Sequence, residues 1–202
     1  LPQEFIIDSQ GGIREPVGMS GVRLEVKVHM VTGAVSAAQN IIKCVKRCGL
    51  NVNDIILEQL ASSYAVLTED EKELGVCIVD MGSGTMDISV YVAGALRHSS
   101  VLGYAGNSVT NDIAIAFSSP PSSAEKIKID YGCLQRESVS SDEMIELTSV
   151  GGRAARSLQR QMLVDVIEPR YSELLGLIKK ELYKLNDGLE PESLKQQLAA
   201  GI

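Results

Sequence analysis

The stretch Val76-Cys77-Ile78-Val79-Asp80-Met81-Gly82-Ser83-Gly84-Thr85-Met86-Asp87-Ile88-Ser89-Val90-Tyr91-Val92 decides how this chain folds. Val76 to Val79 is a short, wholly apolar run closed by the acid Asp80, the mark of a strand covered on both faces. Gly82-Ser83-Gly84 turns the chain. From Met86 to Val92, Ile88, Val90 and Val92 then fall on alternate positions, which predicts a second strand. Gly94 turns the chain again into a third strand through Val101, so the region reads as a meander of three antiparallel strands. The first turn carries chemistry. Its glycines let backbone N–H groups approach phosphate oxygens, and Thr85 adds a hydroxyl donor. Asp80, at a strand end, is placed to hold a Mg²⁺-bound water, since Mg²⁺ keeps several waters and takes few protein carboxylates. The loop lacks the lysine and following helix of a Walker A motif, and the helix that a dinucleotide fingerprint requires. The competing reading is a hairpin whose glycine-rich turn only satisfies backbone geometry.

Outward from this centre, Val22, Leu24, Val26, Val28 and Met30 alternate with Arg23, Glu25, Lys27 and His29, predicting a half-buried strand over 22–31 with His29 solvated on its polar face. Ser36 is placed to cap a helix whose apolar positions are Ala38, Ile41, Ile42, Val45 and Cys48, with Gly49 as its stop. Cys44 and Cys48 then lie on or beside its buried side. A short apolar run over 54–57 and a helical pattern over 60–67 lead to a charged connector, 68–73, where a boundary fits. Beyond the meander, a helix is expected from about Gly106 to Phe117, broken by Pro120-Pro121. A second follows from Ser122 to Tyr131, then a short strand over 145–147 and a Gly151-Gly152 turn. A long helix over 159–185 has the stripe Ile167, Tyr171, Leu174, Ile178, Leu182 and Leu185, with Pro169 as a kink point. Arg170 and Glu173, three residues apart, belong on its outer flank.

The 202 residues are 45% hydrophobic and carry a net charge of -7. That is enough apolar material for a core. The acidic balance argues against broad binding to nucleic acid or to anionic membranes, because no excess of cations is present to neutralise phosphates. Cys44, Cys48, Cys77 and Cys133 have no metal-ligand spacing with His29 or His98, and all four read as reduced. Cys77, inside an apolar strand, reads as a small hydrophobe. No stretch approaches the roughly 18–20 apolar residues of a bilayer span. Both ends read as cut: Leu1-Pro2-Gln3 runs straight into Phe5-Ile6-Ile7, and 198–202 looks like the start of a strand.

The glycine loop resembles the second phosphate loop of the actin/Hsp70/sugar-kinase superfamily. The segments Gly75-Val76-Cys77-Ile78-Val79-Asp80, Thr85-Met86-Asp87-Ile88, Gly94-Ala95-Leu96-Arg97-His98, Ser149-Val150-Gly151-Gly152-Arg153, Arg156-Ser157-Leu158-Gln159-Arg160-Gln161 and Val166-Ile167-Glu168-Pro169-Arg170-Tyr171 are similar to signatures of the FtsA family of bacterial cell-division proteins, across essentially the whole chain. The resemblance implies an α/β, actin-like ATPase (ribonuclease H-like) fold, incomplete here. It places the later half of subdomain 1C at residues 1–50, part of 1A at 51–73, 2A at 74–118 and 196–202, and 2B at 119–195. It implies binding of ATP and Mg²⁺ in the full-length protein by Asp80, Gly82, Ser83, Gly84 and Thr85. Glu125 and Lys128 in Ala124-Glu125-Lys126-Ile127-Lys128 match a helix that touches the ribose, although Ser122 and Glu125 also fit a capping box. Ser83 stands where the superfamily often has a third glycine, at a cost of roughly 1 kcal/mol if φ is positive there.

The same resemblance implies an adaptor that tethers FtsZ to the cytoplasmic face of the inner membrane at the division site, through a membrane helix absent from these residues. It also implies self-association into actin-like filaments, contact with later division proteins through 1C, and capture of the FtsZ C-terminal tail by Arg170, Glu173, Arg156 and Arg160. At most weak ATPase activity is expected, and little ATP binding by these residues alone, since the first phosphate loop and the adenosine loop fall outside them. The alternatives are another ATPase of the superfamily, a chaperone or sugar kinase, and a binding module with a vestigial loop.

Overall fold

The structure, a computed structural model, describes residues 1–147 and 156–184. Its elements are β1 (Pro2–Ile7), β2 (Gln10–Ile13), β3 (Leu24–Val28), α1 (Val35–Arg47), α2 (Glu58–Val66), α3 (Glu69–Leu74), β4 (Val76–Met81), β5 (Met86–Val92), β6 (Ala95–Leu102), α4 (Gly106–Phe117), α5 (Pro121–Tyr131), β7 (Met144–Leu147), β8 (Arg156–Gln159) and α6 (Arg160–Lys184). They form two compact units: Leu1–Asp80 with Ile88–Ser100, and Met81–Asp87 with the described residues from Val101 onward. Among the described residues no helix is long and apolar enough to cross a membrane.

The meander has the strand order β4-β5-β6. Residues 82–85 and 93–94 join its strands, too short for a crossover, so neighbours run antiparallel. In the second turn Ala93 and Gly94 both have positive φ, 53° and 73°, as a type I′ hairpin turn requires. In the first unit Val76, Tyr91 and Leu96 form a buried cluster, with Leu60 of α2 and Leu67 packed on it. Cys77 is buried there, and loss of solvent pushes its thiol pKa up to about 11.

Where the charged run over 68–73 suggests a connector, the chain forms α3. Thr68 accepts a hydrogen bond from the Glu71 amide while the Glu71 carboxylate accepts from the Thr68 amide, a complete capping box. The density of charge hides that start signal. Lys72 is buried because its ammonium lies 4.7 Å and 5.9 Å from the ring centres of Tyr64 and Tyr91 and bonds Glu69 at 2.8 Å.

The first unit also holds a sheet of order β2-β1-β3, whose β1–β2 hairpin turns through Asp8 and Ser9 at positive φ. The pattern over 22–31 narrows to Leu24–Val28, and every residue of that strand is exposed, which corrects the half-buried reading. β3 is an edge strand paired to β1 alone, so its alternation is genuine while its apolar side lies open. α1 starts at Val35 behind an extended Ala34, with Ser36 inside the first turn and capping nothing. None of its residues is buried, and Cys44 and Cys48 are exposed, correcting the expectation for both; all four cysteines are free. Gly49, at φ 77°, ends the helix as its position suggests. His29 is half-buried, not solvated: its Nε2 lies 3.0 Å from the Ser99 hydroxyl of β6. Desolvation, aided by His98, holds its pKa below the ordinary histidine value.

In the second unit α4 packs against both α5 and α6. Val109 and Ile113, Ala124 and Ile127, and Leu163, Val164, Ile167, Leu174, Ile178 and Leu182 are its buried apolar residues on the three helices. The α6 stripe thus begins earlier than the sequence pattern suggests, and Tyr171 is half-buried. Arg156–Gln159 is a strand, so Gln159 lies outside the helix expected from that residue. β8 pairs antiparallel with β7, Ile145 opposite Leu158 and Leu147 opposite Arg156, so α6 starts at Arg160. Pro169 lies inside that one continuous helix. α5 opens with Pro121 in its first turn, where a missing N–H does no harm. Leu185, the Gly151-Gly152 turn, the segment 149–153 and the tail from 196 lie outside the described residues.

Candidate functional site

The loop between β4 and β5 is fixed from inside and from behind. Gly82 N–H donates to the Thr85 carbonyl at 2.9 Å, closing the turn. α4 then returns to it, Gly106 N–H donating to the Gly82 carbonyl at 3.2 Å and Asn107 N–H to the Ser83 carbonyl at 2.7 Å. The first amides of a helix lack intrahelical partners, and here the loop carbonyls satisfy two of them. The loop itself is exposed, and among the described residues no protein acceptor takes the amides of Ser83, Gly84 or Thr85. Consecutive free amides on an exposed turn suit an anion.

Gly82, Ser83 and Gly84 are all outside the positive-φ region. The roughly 1 kcal/mol strain considered for Ser83 therefore does not arise. A Cβ on Gly84 would meet nothing within 4 Å, whereas one on Gly82 would lie 3.4 Å from the Thr85 carbonyl. A side chain at 84 would meet open space beside the exposed loop.

Asp80 lies one residue before the end of β4, its Oδ2 accepting the Ser62 hydroxyl of α2 at 2.5 Å within the first unit. Ser62 carries no signal in the sequence pattern, because its role depends on where α2 packs. Among the described residues no group of three or more metal-ligating side chains gathers. A Mg²⁺ held through water by Asp80 needs no such group.

On α5, Pro120 is the N-cap with extended backbone and no side-chain cap, so the capping-box reading of Ser122 and Glu125 is overturned. With the helix starting at Pro121, Ser122 falls inside the first turn. The Glu125 carboxylate instead accepts the Thr110 hydroxyl of α4 and the Lys128 ammonium at 2.7 Å. Hydrogen bonds from Lys128 first and Thr110 second hold its pKa below the usual carboxylate range. Lys128 Nζ also donates to Thr110 Oγ1 at 2.9 Å and to the Gly106 carbonyl at 3.3 Å. Thr110 and Gly106 have no motif of their own; only the crossing of α4 with α5 brings them to this cluster.

The arginines are engaged within the fold. Arg170 turns toward α4 and bonds Asp112 with two nitrogens, so only Glu173 of the expected outer-flank pair is exposed; it meets Arg170 at 2.5 Å. Arg156 donates to the Phe117 carbonyl at 2.5 Å. Arg160 donates to the Tyr131 carbonyl at 2.8 Å and pairs with Glu143 at 2.7 Å. These charges tie elements together.

Solved structures of the same architecture include MreB5 of Spiroplasma citri bound to AMPPNP, with TM-score 0.60, 21% identity, and 85% of this chain and 53% of that one covered. The PilM–PilN type IV pilus biogenesis complex gives TM-score 0.58 at 16% identity, covering 81% and 45%. At such identities the likeness is one of fold, and the fold is that of the actin-like ATPases, α/β and present here in part. Sequence resolves the family within it. The family model for cell division protein FtsA matches residues 77–199, and that for the SHS2 domain inserted in FTSA matches residues 1–32. Cell division protein FtsA of Escherichia coli K12 is 58% identical over all 202 residues, which are 48% of that protein; the Pseudomonas aeruginosa relative is 59% identical over 182 residues, 90% of this chain and 44% of its own length. The chain belongs to the FtsA family of cell-division proteins and spans about half the length of the curated relatives it matches.

Proposed function

We propose that this sequence supplies one wall of an adenine-nucleotide site in an actin-like cell-division adaptor. The observation that carries the reading is the loop Gly82–Thr85, held from behind by the start of α4 while, among the described residues, no protein acceptor takes three successive amides. Such a loop suits the β- and γ-phosphate oxygens of ATP, with Thr85 adding its hydroxyl, Asp80 holding a water of Mg²⁺, and Glu125 receiving a ribose hydroxyl through its second oxygen. The fold supports this, since MreB5 has been solved with ADP and with AMPPNP.

In the adaptor, residues 1–50 serve as the later half of subdomain 1C and meet later division proteins, 51–73 belong to 1A, 74–118 and 196–202 to 2A, and 119–195 to 2B. The whole protein tethers FtsZ filaments to the cytoplasmic face of the inner membrane, self-associates as actin-like proteins do, and receives the FtsZ C-terminal tail near Arg170, Glu173, Arg156 and Arg160. A planar guanidinium suits that acidic tail, and the Arg170 side chain keeps 29% of its surface exposed.

The deciding experiment is calorimetry of the full-length protein with Mg-ATP. Micromolar affinity that Asp80→Ala weakens about tenfold or more is the expected result. Absence of binding would assign the loop to structure alone and leave a nucleotide-independent adaptor.

A further inference from the structure

The helix α2 is held from two flanks. Its buried residues, Gln59 and Ser63, are both polar, and Ser63 gives its hydroxyl to the Gln59 carbonyl at 2.6 Å within the helix itself. That inward face offers little apolar grip, so the flanks decide how α2 is rolled about its axis. On one flank the Ser62 hydroxyl donates to Asp80 Oδ2 at 2.5 Å. On the other, the ring of Tyr64 lies over the Lys72 ammonium, its centre 4.7 Å from Nζ. Two residues separate these side chains along the sequence, which is about 200° around a helix, so they project to nearly opposite sides.

An apolar side chain would fill the place of Lys72 at lower cost. Only 5% of the lysine side chain is exposed, and burying an ammonium carries a desolvation penalty that a methionine avoids. What the charge adds is direction. Nζ stands between the exposed ring of Tyr64 and the buried ring of Tyr91 on β5, 5.9 Å from the second centre, and donates to Glu69 at 2.8 Å. The backbone of Lys72 is fixed as well, its carbonyl accepting the Gly94 amide of the β5–β6 turn at 2.9 Å. A chain of contacts therefore runs from β5 through Lys72 and Tyr64 to Ser62 and Asp80, all within the first unit.

We infer that Lys72 is a positioning residue for Asp80. Held against Tyr91, its ammonium draws the Tyr64 ring and sets the roll of α2, and that roll keeps the Ser62 hydroxyl on the carboxylate. A rotation that lifts Tyr64 off Lys72 carries Ser62 away from Asp80. The inference rests on the nucleotide reading above and extends it: a lysine that touches no part of the phosphate loop governs how Asp80 meets a water of Mg²⁺.

The test compares Lys72→Met, Lys72→Arg, Tyr64→Leu and Tyr64→Phe in the full-length protein, with Lys72→Met and Tyr64→Leu also combined with Ser62→Ala. Tyr64 is 73% exposed, so replacing it leaves the core intact. Calorimetry with ATP across a Mg²⁺ series gives the affinity and the Mg²⁺ needed for half-saturation, and hydrogen exchange follows the α2 amides without nucleotide. Lys72→Met and Tyr64→Leu should weaken Mg-ATP about two- to fivefold and raise the half-saturating Mg²⁺. Exchange across α2 should quicken while α4 stays as in wild type. The melting temperature of Lys72→Met should hold or rise, since the carboxylate of Glu69 that it leaves behind is exposed to solvent. Lys72→Arg and Tyr64→Phe, which keep the cation and the ring, should behave as wild type. In the Ser62→Ala background the same changes should add no further loss. Full losses in that background, or unchanged exchange in α2, would overturn the inference, and an affinity that only follows a falling melting temperature would reduce Lys72 to packing. Wild-type protein that binds no Mg-ATP would sink the nucleotide reading instead, and exchange in α2 would still decide whether Lys72 sets the helix.

Discussion

Arg170 on α6 grips the Asp112 carboxylate on α4 with two nitrogens, Nε to Oδ2 at 2.5 Å and Nη2 to Oδ1 at 3.0 Å. Side-chain exposures of 29% and 27% leave the pair half-buried, and the hydrogen bond that Arg170 donates to Asp112 raises the pKa of the guanidinium. The bond joins two helices of the same core across 58 residues of chain. It changes what a charge reversal at Arg170 means, because the variant removes a docking group and a tie between helices together. The informative variant is Asp112→Asn. It should cost on the order of 1–2 kcal/mol of stability and release part of the arginine fork. If an acidic tail docks on Arg170, affinity for an FtsZ tail peptide should rise severalfold in fluorescence anisotropy while the melting temperature falls. A lower melting temperature with unchanged peptide affinity would confine Arg170 to the tie with Asp112.

Two glycines of the site should respond in opposite ways. Gly84 has open space around its absent Cβ and no positive φ, so Gly84→Ala should leave stability within about 0.5 kcal/mol. Its effect belongs to the ligand: Gly84→Val, the bulkier change within the exposed loop, should weaken ATP more than Gly84→Ala does. Gly106→Ala instead puts a methyl 3.3 Å from the Gly82 carbonyl and should cost about 1 kcal/mol or more before any ligand is added. Thermal melts of the two alanine variants decide it, and equal stabilities would count against the packing at the α4 start.

The meander and its loop are the most legible part of the sequence because local rules determine them. An apolar run, a glycine turn and period-two alternation fix β4 to β6 within a residue or two, and Met86–Val92 matches its expected bounds. The Ser149–Arg170 signatures and the family matches agree for the same reason, since they are properties of the string. What the sequence misses depends on tertiary placement. β3 has the alternation of a half-buried strand, yet nothing in the string says that it is an edge with its apolar side open. The Ser122-Glu125 spacing imitates a capping box, but the helix starts one residue earlier, and the carboxylate finds Thr110, fifteen residues away. The internal acceptors of Arg156, Arg160 and Arg170 are likewise invisible in the string, since each is brought within reach only by the fold.

The cysteines should separate by burial when titrated with a thiol reagent. At pH 8 Cys44 and Cys48, both exposed, are open to the reagent and should react within minutes. Burial pushes Cys77 up to about 11, so almost none of it is thiolate at that pH, and the same packing blocks the reagent. Cys77 should become reactive only on unfolding. Mass-spectrometric mapping after a timed reaction should find Cys44 and Cys48 modified first, half-covered Cys133 later, and Cys77 unmodified. Early labelling of Cys77 in folded protein would contradict its place inside β4.

The Ser62 hydroxyl donates to Asp80 Oδ2 at 2.5 Å, so one of the two carboxylate oxygens is engaged by α2. A donor at one oxygen fixes the plane of the carboxylate, which is what a residue holding a water of Mg²⁺ requires. Charge and orientation can be separated by three variants. Asp80→Asn keeps an acceptor for Ser62 and loses the charge; Asp80→Ala loses both; Ser62→Ala keeps the charge and loses the orientation. Asp80 is only half-buried, so none of the three should unfold the protein. Calorimetry of the full-length protein with ATP across a Mg²⁺ series should show Asp80→Asn and Asp80→Ala weakening Mg-ATP about tenfold or more, equivalent to about 1.4 kcal/mol. Ser62→Ala should cost about two- to fivefold and raise the Mg²⁺ needed for half-saturation. ATP without Mg²⁺ should bind the Asp80 variants no worse than wild type, because removing a carboxylate near the phosphates relieves repulsion once no cation lies between them. Asp80 variants that bind Mg-ATP normally would sink the assignment; variants that lose ATP equally with and without Mg²⁺ would make Asp80 a support of the loop and not a holder of the metal's water.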